Sequence, residues 1–281
     1  MYVQLIEVPY DSGHWGTRMG RGPGALVAAG LPEILLAEGH AVERERVQPV
    51  ARFPTEIATG FAVAGGIARA VRAAAWHSRF PLVLMGNCLG SVGVAAGLPP
   101  GETGVVWLDA HADFNTPESS PSGFLDGMAL ATLTGQCWAA ARENVPGFHP
   151  VAPENVVLVG ARDLDPGEEP RLSAAGVTRV APGHVLDDLP AALDRVLPRV
   201  KHLYLHLDLD VLDPSVGRAN GFAAEGGLTV EELHAALDLV RERGALSAAG
   251  ISAYDPAYDP AGTVRAAALR AAMLLLKSGG T

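Results

Sequence analysis

Two runs of acidic residues, each set directly behind an apolar segment, constrain this chain more than any other feature. Asp109, His111 and Asp113 alternate with Ala110 and Ala112 straight after Val105–Leu108. Asp208 and Asp210 close the segment Leu203–Leu207, with His206 two positions before the first of them. On an extended backbone, residues two apart point to one side, so each run should aim its side chains at a common place. Five or six ionisable groups crowded at the ends of buried strands repel one another and lose hydration unless a cation neutralises them. A single aspartate of this kind is usually a solvated loop residue or a helix cap; two clusters in the same setting favour a metal site. Asp109, Asp113, Asp208 and Asp210 with His111 form a hard, oxygen-rich set that suits Mn²⁺ or Mg²⁺ better than a structural zinc. Carboxylates also bridge, which opens a two-metal hydrolytic centre to them.

The rest of the chain reads as alternating strands and helices. Apolar runs at Val3–Val8, Pro81–Gly86, Gly104–Leu108, Asn155–Gly160, His202–Asp210 and Leu246–Ala253 predict strands. Thr55–Trp76 places Ile57, Phe61, Ala64, Ala68, Val71 and Ala75 on one helical face, and Thr229–Arg243 does the same with Val230, Leu233, Leu237 and Val240. Thr229 with Glu232 has the spacing of a capping box, and a last helix is expected over Thr263–Lys277. This alternation predicts an α/β fold with a mainly parallel central sheet covered by helices on both faces, built as one domain over 1–281. Ligands of such sheets sit beyond the carboxyl ends of the strands. Both acidic runs stand there, as do Gly86-Asn87-Cys88 and Ala253-Tyr254-Asp255-Pro256.

Composition narrows the partners. With 31 acidic against 21 basic residues the net charge is −10, which argues against nucleic acid as a partner. Two cysteines are too few for a disulfide framework. No basic stretch followed by an apolar one marks a secretory signal, and no run of about 18 apolar residues marks a membrane span. A cytoplasmic protein without a membrane partner is expected.

Asp109-Ala110-His111-Ala112-Asp113-Phe114-Asn115 and Asp208-Leu209-Asp210-Val211-Leu212-Asp213-Pro214 resemble two of the three motifs of the ureohydrolases, the arginases and agmatinases. The likeness runs from Gly20-Arg21-Gly22-Pro23 to Gly226-Gly227-Leu228-Thr229. It implies a three-layer α/β/α fold and a binuclear manganese cluster that turns a bridging water into hydroxide, which attacks a guanidinium carbon and releases urea or a relative. It also implies a ligand assignment. Asp109, His111, Asp208 and Asp210 would complete one Mn²⁺ site. The other would keep Asp109, Asp113 and Asp208 but would find Cys88 where the family carries a His. A thiol is a soft partner for manganese, so one site is expected intact and the other weakened or empty. Cys88 could equally be a small buried hydrophobe that binds nothing.

Three more positions depart from arginases. Ala253 stands where a Glu pairs with the substrate guanidinium. Asp126 replaces a proton-shuttling His, either as a proton relay or as a structural hydrogen-bond acceptor. His206 stands where arginases have a Ser, either supporting a metal-bound carboxylate or simply packed against the helices. The segments that read the amino-acid end are kept. Asn115, Ser120 and Ser122 can hydrogen-bond a carboxylate, and Asp165 and Glu168 of Arg162-Asp163-Leu164-Asp165-Pro166-Gly167-Glu168 can hold an ammonium, although Asp-Pro-Gly-Glu alone is an ordinary turn and helix start. The expected activity is therefore amidinohydrolysis of an arginine-like amino acid, preferably Nω-hydroxy-L-arginine to L-ornithine and hydroxyurea. Arginase, agmatinase or another guanidino or formimino hydrolase is the enzymatic alternative, and a non-catalytic metal- or amino-acid-binding protein of this fold is the other. The resemblance admits a homo-oligomer without fixing its order.

Overall fold

Apolar segments from the whole length of the chain pair side by side into one sheet. A computed structural model describes residues 1–48, 53, 55–100 and 102–277, so the end of the expected 1–281 span lies outside the described residues. Among the described residues the sheet has eight strands, β1 (Tyr2–Val8), β2 (Ala41–Arg46), β3 (Phe80–Met85), β4 (Thr103–Leu108), β5 (Val156–Val159), β6 (Thr178–Val180), β7 (His202–Asp208) and β8 (Leu246–Ser252). Their order across the sheet is β2-β1-β3-β8-β7-β4-β5-β6, and every pairing is parallel. The last strand in sequence thus lies in the middle, between β3 and β7.

Side-chain alternation along these strands builds two separate cores. Val105, Trp107, Val156, Leu158 and Tyr204 face a layer that includes the helices Glu56–Trp76 and Gly90–Gly97. Val106, Leu108, Val157, Leu205 and Leu207 face the helices Val185–Val196, Val230–Arg243 and Thr263–Leu276. A slip of one residue would exchange the two sets, so burial fixes the register. Each fully buried Leu or Val contributes on the order of 1.5–3 kcal/mol. The result is the expected three-layer α/β/α arrangement with a parallel sheet.

Local signals account for the helix ends. The Thr55 hydroxyl accepts from the Ala58 amide at 3.2 Å. Thr229 and Glu232 form the reciprocal box, at 3.1 Å and 2.9 Å. In Glu56–Trp76 the buried face holds Phe61, Ala64, Ala68 and Val71 as expected, but also Ile67 and Ala74, while Ile57 and Ala75 are exposed. This helix has the length and apolar composition of a membrane span, yet most of its apolar window is buried, as in a core helix.

Some expectations need correction. β2 and β6 were not anticipated. β2 is a charged edge strand, Ala41-Val42-Glu43-Arg44-Glu45-Arg46, with almost no buried side chain; such charges guard an exposed edge against pairing. It is tied to the sheet by Arg44 and Arg46, which grip the buried Glu7 at 2.8 Å and 2.9 Å. β6 has three residues, too few to show a period. The expected strand His202–Asp210 stops at Asp208, and Leu209–Val211 makes a tight 3₁₀ turn. The stretch Asp109–Asp113 is not extended either, because β4 ends at Leu108 and Asp113 adopts a left-handed φ of 50°.

Where the chain leaves β3, Gly86 touches two other segments. A Cβ there would collide with the Tyr10 carbonyl oxygen and stand 2.8 Å from the Gly20 nitrogen. Gly24, in the helix Gly22–Ala28, has open space beside it. Gly86→Ala should therefore lower stability by about 3 kcal/mol, while Gly24→Ala should raise it by about 0.5–1 kcal/mol. Chemical denaturation of both variants checks this pair.

Candidate functional site

The carboxyl ends of β3, β8, β7 and β4 open onto one cavity of about 250 Å³. Cys88, His111, Asp113, Asp126, Asp208 and Asp210 line its floor, and Asn115, Ser120, Ser122, Asp165 and Glu168 lie along its walls. Asp109 sits directly behind, 1% exposed. Residues from every quarter of the sequence meet here because β8 brings the far end of the chain between β3 and β7.

Two groups of potential ligands are gathered. In one, donor atoms of Asp109, His111 and Asp210 lie within 4.8 Å of one another. His111 Nδ1 is 3.3 Å from Asp109 Oδ1 and 3.5 Å from Asp210 Oδ2. In the other, donor atoms of Cys88, Asp109, His206 and Asp208 lie within the same distance. The Cys88 thiol donates to Asp208 Oδ2 at 2.9 Å. Asp208, which the family pattern shares between both metals, falls in the second group only. Asp113 Oδ2 is buried and has no partner among the described residues, as expected of an atom whose partner is a cation. An imidazole among carboxylates fits manganese at the His111 group; the thiol does not fit it at the other.

The turns that present these groups are held by their own carboxylates. The His111 amide donates to Asp109 Oδ1 and the Asp210 amide to Asp208 Oδ1, both at 2.8 Å. Trp107 Nε1 donates to Asp109 Oδ2 at 2.9 Å, and Asn220 Nδ2 donates both to Asp210 Oδ2 at 3.1 Å and to the Ala253 carbonyl at 2.9 Å. Ala253 itself is buried, lines the cavity and holds a left-handed φ of 61°.

Burial dominates the electrostatics. It pushes Asp109 up to about 6, helped by the neighbouring Asp210 charge. It raises Asp208, with Asp210 and Asp109 adding to the effect, and raises Asp113, with Asp109 and Asp126 adding to it. The Cys88 thiol is raised by burial and then by Asp208. Burial opposes the charge of His111, but Asp210 and Asp109 outweigh it and push the imidazole up to about 10. Burial likewise works against Asp210, yet His111 and the hydrogen bonds on its oxygens hold it below the usual range. His206, wholly buried, is pushed down to about 3 and is neutral.

The remaining expected residues are placed as follows. Asp126 is pushed up to about 7 by burial, against the hydrogen bonds it accepts. Its oxygens accept from the Leu89 amide and from Asn87 Nδ2, both at 2.8 Å, so it also fixes the loop carrying Cys88. Asn115 Nδ2 donates to Asp165 Oδ2 at 2.7 Å. Glu168 accepts from the Phe114 and Asp165 amides, at 2.8 Å each, and so joins the two wall loops. Ser120 and Ser122 accept from the Gly123 and Phe124 amides.

Sequence reasoning missed Trp107, Asn220, Arg162 and the aromatic pair Phe124–Phe222. Trp107 was within reach, being two residues before Asp109 near the end of β4. Arg162 donates to carbonyls of Gly160, Asp210, Val211, Leu212, Ala224 and Glu225, a task that leaves no spacing signal. Phe124 and Phe222 stack at 5.5 Å on the cavity wall, brought together only by the fold.

These shifts set the sign of a pH effect in the metal-free protein. Asp109 titrates at 3.8 in the unfolded chain and about 6 in the fold, so the folded state holds the extra proton between them. Stability then falls as pH rises through that window. His111, at 6.5 unfolded and about 10 folded, contributes stability that is full below 6.5 and lost as pH rises through 10. Asp210 is charged in both states over this range and adds no slope. His206, at 6.5 unfolded and about 3 folded, works the other way below pH 6.5, so the melting temperature of the metal-free protein should fall from pH 6.5 to pH 9. With saturating Mn²⁺ the slope should reverse, since binding displaces those protons. Calorimetry with and without manganese measures both.

Comparison with known proteins agrees with this geometry. The arginase family model matches residues 1–276. The arginase of Bacillus subtilis is 33% identical over 273 residues, covering 92% of this chain and 91% of its own. Its crystal structure superposes with a TM-score of 0.91 at 28% identity, over 100% of both chains. The native arginase of Bacillus caldovelox gives 0.89 at 28% identity, over 99% of both. The chain belongs to the arginase family and is a manganese-dependent hydrolase of C–N bonds in linear amidines.

Proposed function

We propose that the substrate is an arginine-like α-amino acid whose guanidine is N-hydroxylated, with Nω-hydroxy-L-arginine hydrolysed to L-ornithine and hydroxyurea. The observation that carries this reading is Ala253, a buried methyl group on the cavity wall with its carbonyl tied to Asn220. L-Arginine is cationic up to a pKa of about 12.5, so its guanidinium gains from an acidic partner. The electron-withdrawing N-hydroxyl leaves the guanidine largely neutral, and a methyl wall is then no handicap. Plain arginase activity is the second reading, favoured by the names of the relatives.

Asp109, Asp113, Asp208, Asp210 and His111 would hold the metal centre, which when bound would supply an activated water and polarise the substrate. The chain's residues do the rest. Asp165, oriented by Asn115 and backed by Glu168, supplies negative charge for the α-ammonium. Asn115, Ser120 and Ser122 offer donors to the α-carboxylate. Asp126, raised to about 7, can hold a proton at neutral pH and return it to the departing ornithine nitrogen. Water adds to the guanidine carbon, the bond from that carbon to the ornithine nitrogen breaks, and hydroxyurea leaves. The position beside Cys88 takes Mn²⁺ weakly. We read the chain as one domain acting in the cytoplasm, and its relatives leave room for a homo-oligomer.

Two experiments test this. Wild type should turn over Nω-hydroxy-L-arginine far faster than L-arginine. Ala253→Glu with Cys88→His should raise kcat/KM for L-arginine while changing the hydroxylated substrate less; a wild type preferring L-arginine would establish the arginase reading instead. Asp165→Ala should cost on the order of 2–4 kcal/mol in kcat/KM for α-amino acid substrates. Agmatine, a guanidine without the α-carboxylate, should react poorly with wild type, and equal rates on it and on the amino acids would remove the clamp.

A further inference from the structure

Cys88 takes an imidazole away from the first metal position, and His206 stands beside it with another. We propose that this position is built for a softer cation, Zn²⁺, with Cys88 and His206 as ligands alongside Asp109 and Asp208, so that the chain holds a zinc–manganese pair. The inference rests on the metal-dependent reading above and goes beyond it in naming the ligand and the metal.

Donor atoms of all four residues lie within 4.8 Å of one another. Ligands around a tetrahedral zinc stand about 3.3–3.8 Å apart, given its usual bond lengths, so a small closure brings the set to bonding distance. His206 Nε2 is 3.3 Å from Ser252 Oγ, which is 3.4 Å from Cys88 Sγ. That ring nitrogen and the thiol thus share Ser252 Oγ as a neighbour. The other, Nδ1, meets Ser91 Oγ at 2.9 Å and the Tyr204 hydroxyl at 3.2 Å. A metal-binding histidine is held in this way, with its second nitrogen hydrogen-bonded to fix tautomer and ring plane. Trp107 stacks on the ring at 3.8 Å while its Nε1 donates to Asp109. One indole thus orients two of the proposed ligands.

A sulfur, a nitrogen and two oxygens make a borderline-soft set, which suits zinc and penalises manganese. The thiol proton now given to Asp208 is the one a cation would displace. Asp113 also lines this cavity, and its buried Oδ2 has no partner among the described residues. The His111 group contains no sulfur and keeps its fit for manganese.

The test loads metal-free full-length protein with one equivalent of Zn²⁺ and an excess of Mn²⁺, because zinc at equal concentration would outcompete manganese at either group, and measures bound metal by mass spectrometry. Separately, Co²⁺ serves as a spectroscopic stand-in. One zinc and one manganese per chain are expected, with a thiolate-to-cobalt charge-transfer absorption in the near ultraviolet. Cys88→Ser should abolish that absorption. His206→Gln should keep it but weaken Zn²⁺ binding 10–100-fold, and His111→Ala should remove manganese while the absorption persists. Circular dichroism confirms that each variant is folded; if His206→Gln is not, Cys88→Ser still decides whether sulfur is a ligand. Manganese at the His111 group with no thiolate absorption, or zinc affinity untouched by both Cys88→Ser and His206→Gln, overturns this inference and leaves the metal-dependent reading intact. A wild type that binds neither metal overturns both.

Discussion

The mutual repulsion of buried aspartates at the middle of the sheet is the constraint around which the rest is arranged. β4 and β7 are neighbours paired at Leu108 and Leu207, so Asp109 and Asp208, one residue further on, emerge side by side. Both are almost without solvent. Like charges so close in a dry site cannot all ionise without a counter-charge. The protein spends backbone amides, an indole N–H, an amide side chain and a thiol on them. These donors reduce the repulsion without removing it, and the Asp113 oxygen that has no partner among the described residues marks what is still lacking.

What surrounds the cluster follows from the need to hold it still. Strands are stiff where both faces are covered, and here the two helical layers cover the four central strands. The turns beyond them are less constrained, and they are fixed by groups that reach across the structure. Arg162 gathers carbonyls from the segments after β5 and β7. Asn220 ties the end of β8 to Asp210. Substitution of either would be felt at the carboxylates without either needing to touch a substrate, because position, more than charge, is what they supply.

Much of this was legible in the sequence, for physical reasons that differ by element. The strands that carry Asp109 and Asp208 announced themselves because parallel central strands are apolar on both faces. Thr229 and Glu232 marked a helix start because their bonds are local. β2 was silent because an edge strand needs charge where a central one needs Val or Leu. Asp109, His111 and Asp113 were expected to converge on an extended backbone that does not exist there; Asp109 and His111 meet in one ligand group, while Asp113, with its left-handed φ, lines the same cavity and joins neither group. Asn220 and Arg162 could not be read at all, since their partners are mostly carbonyls distant in sequence.

The place of β8 has a consequence for how the molecule comes into being. Cys88 and Asp109 are made early, yet the strands that carry them are separated in the sheet by β8 and β7. Until Leu246–Ser252 slots between β3 and β7, the two halves of the sheet have no common seam and the ligands on them are far from meeting. A chain emerging from the ribosome therefore carries its acidic residues unassembled until β8 has been made. The central gap is filled by the last of the eight strands in sequence, which is a long-range and hence slow closure. An ion held between these strands would seal the final step, acting as a latch on a sheet that is otherwise joined in its middle by a single inserted strand.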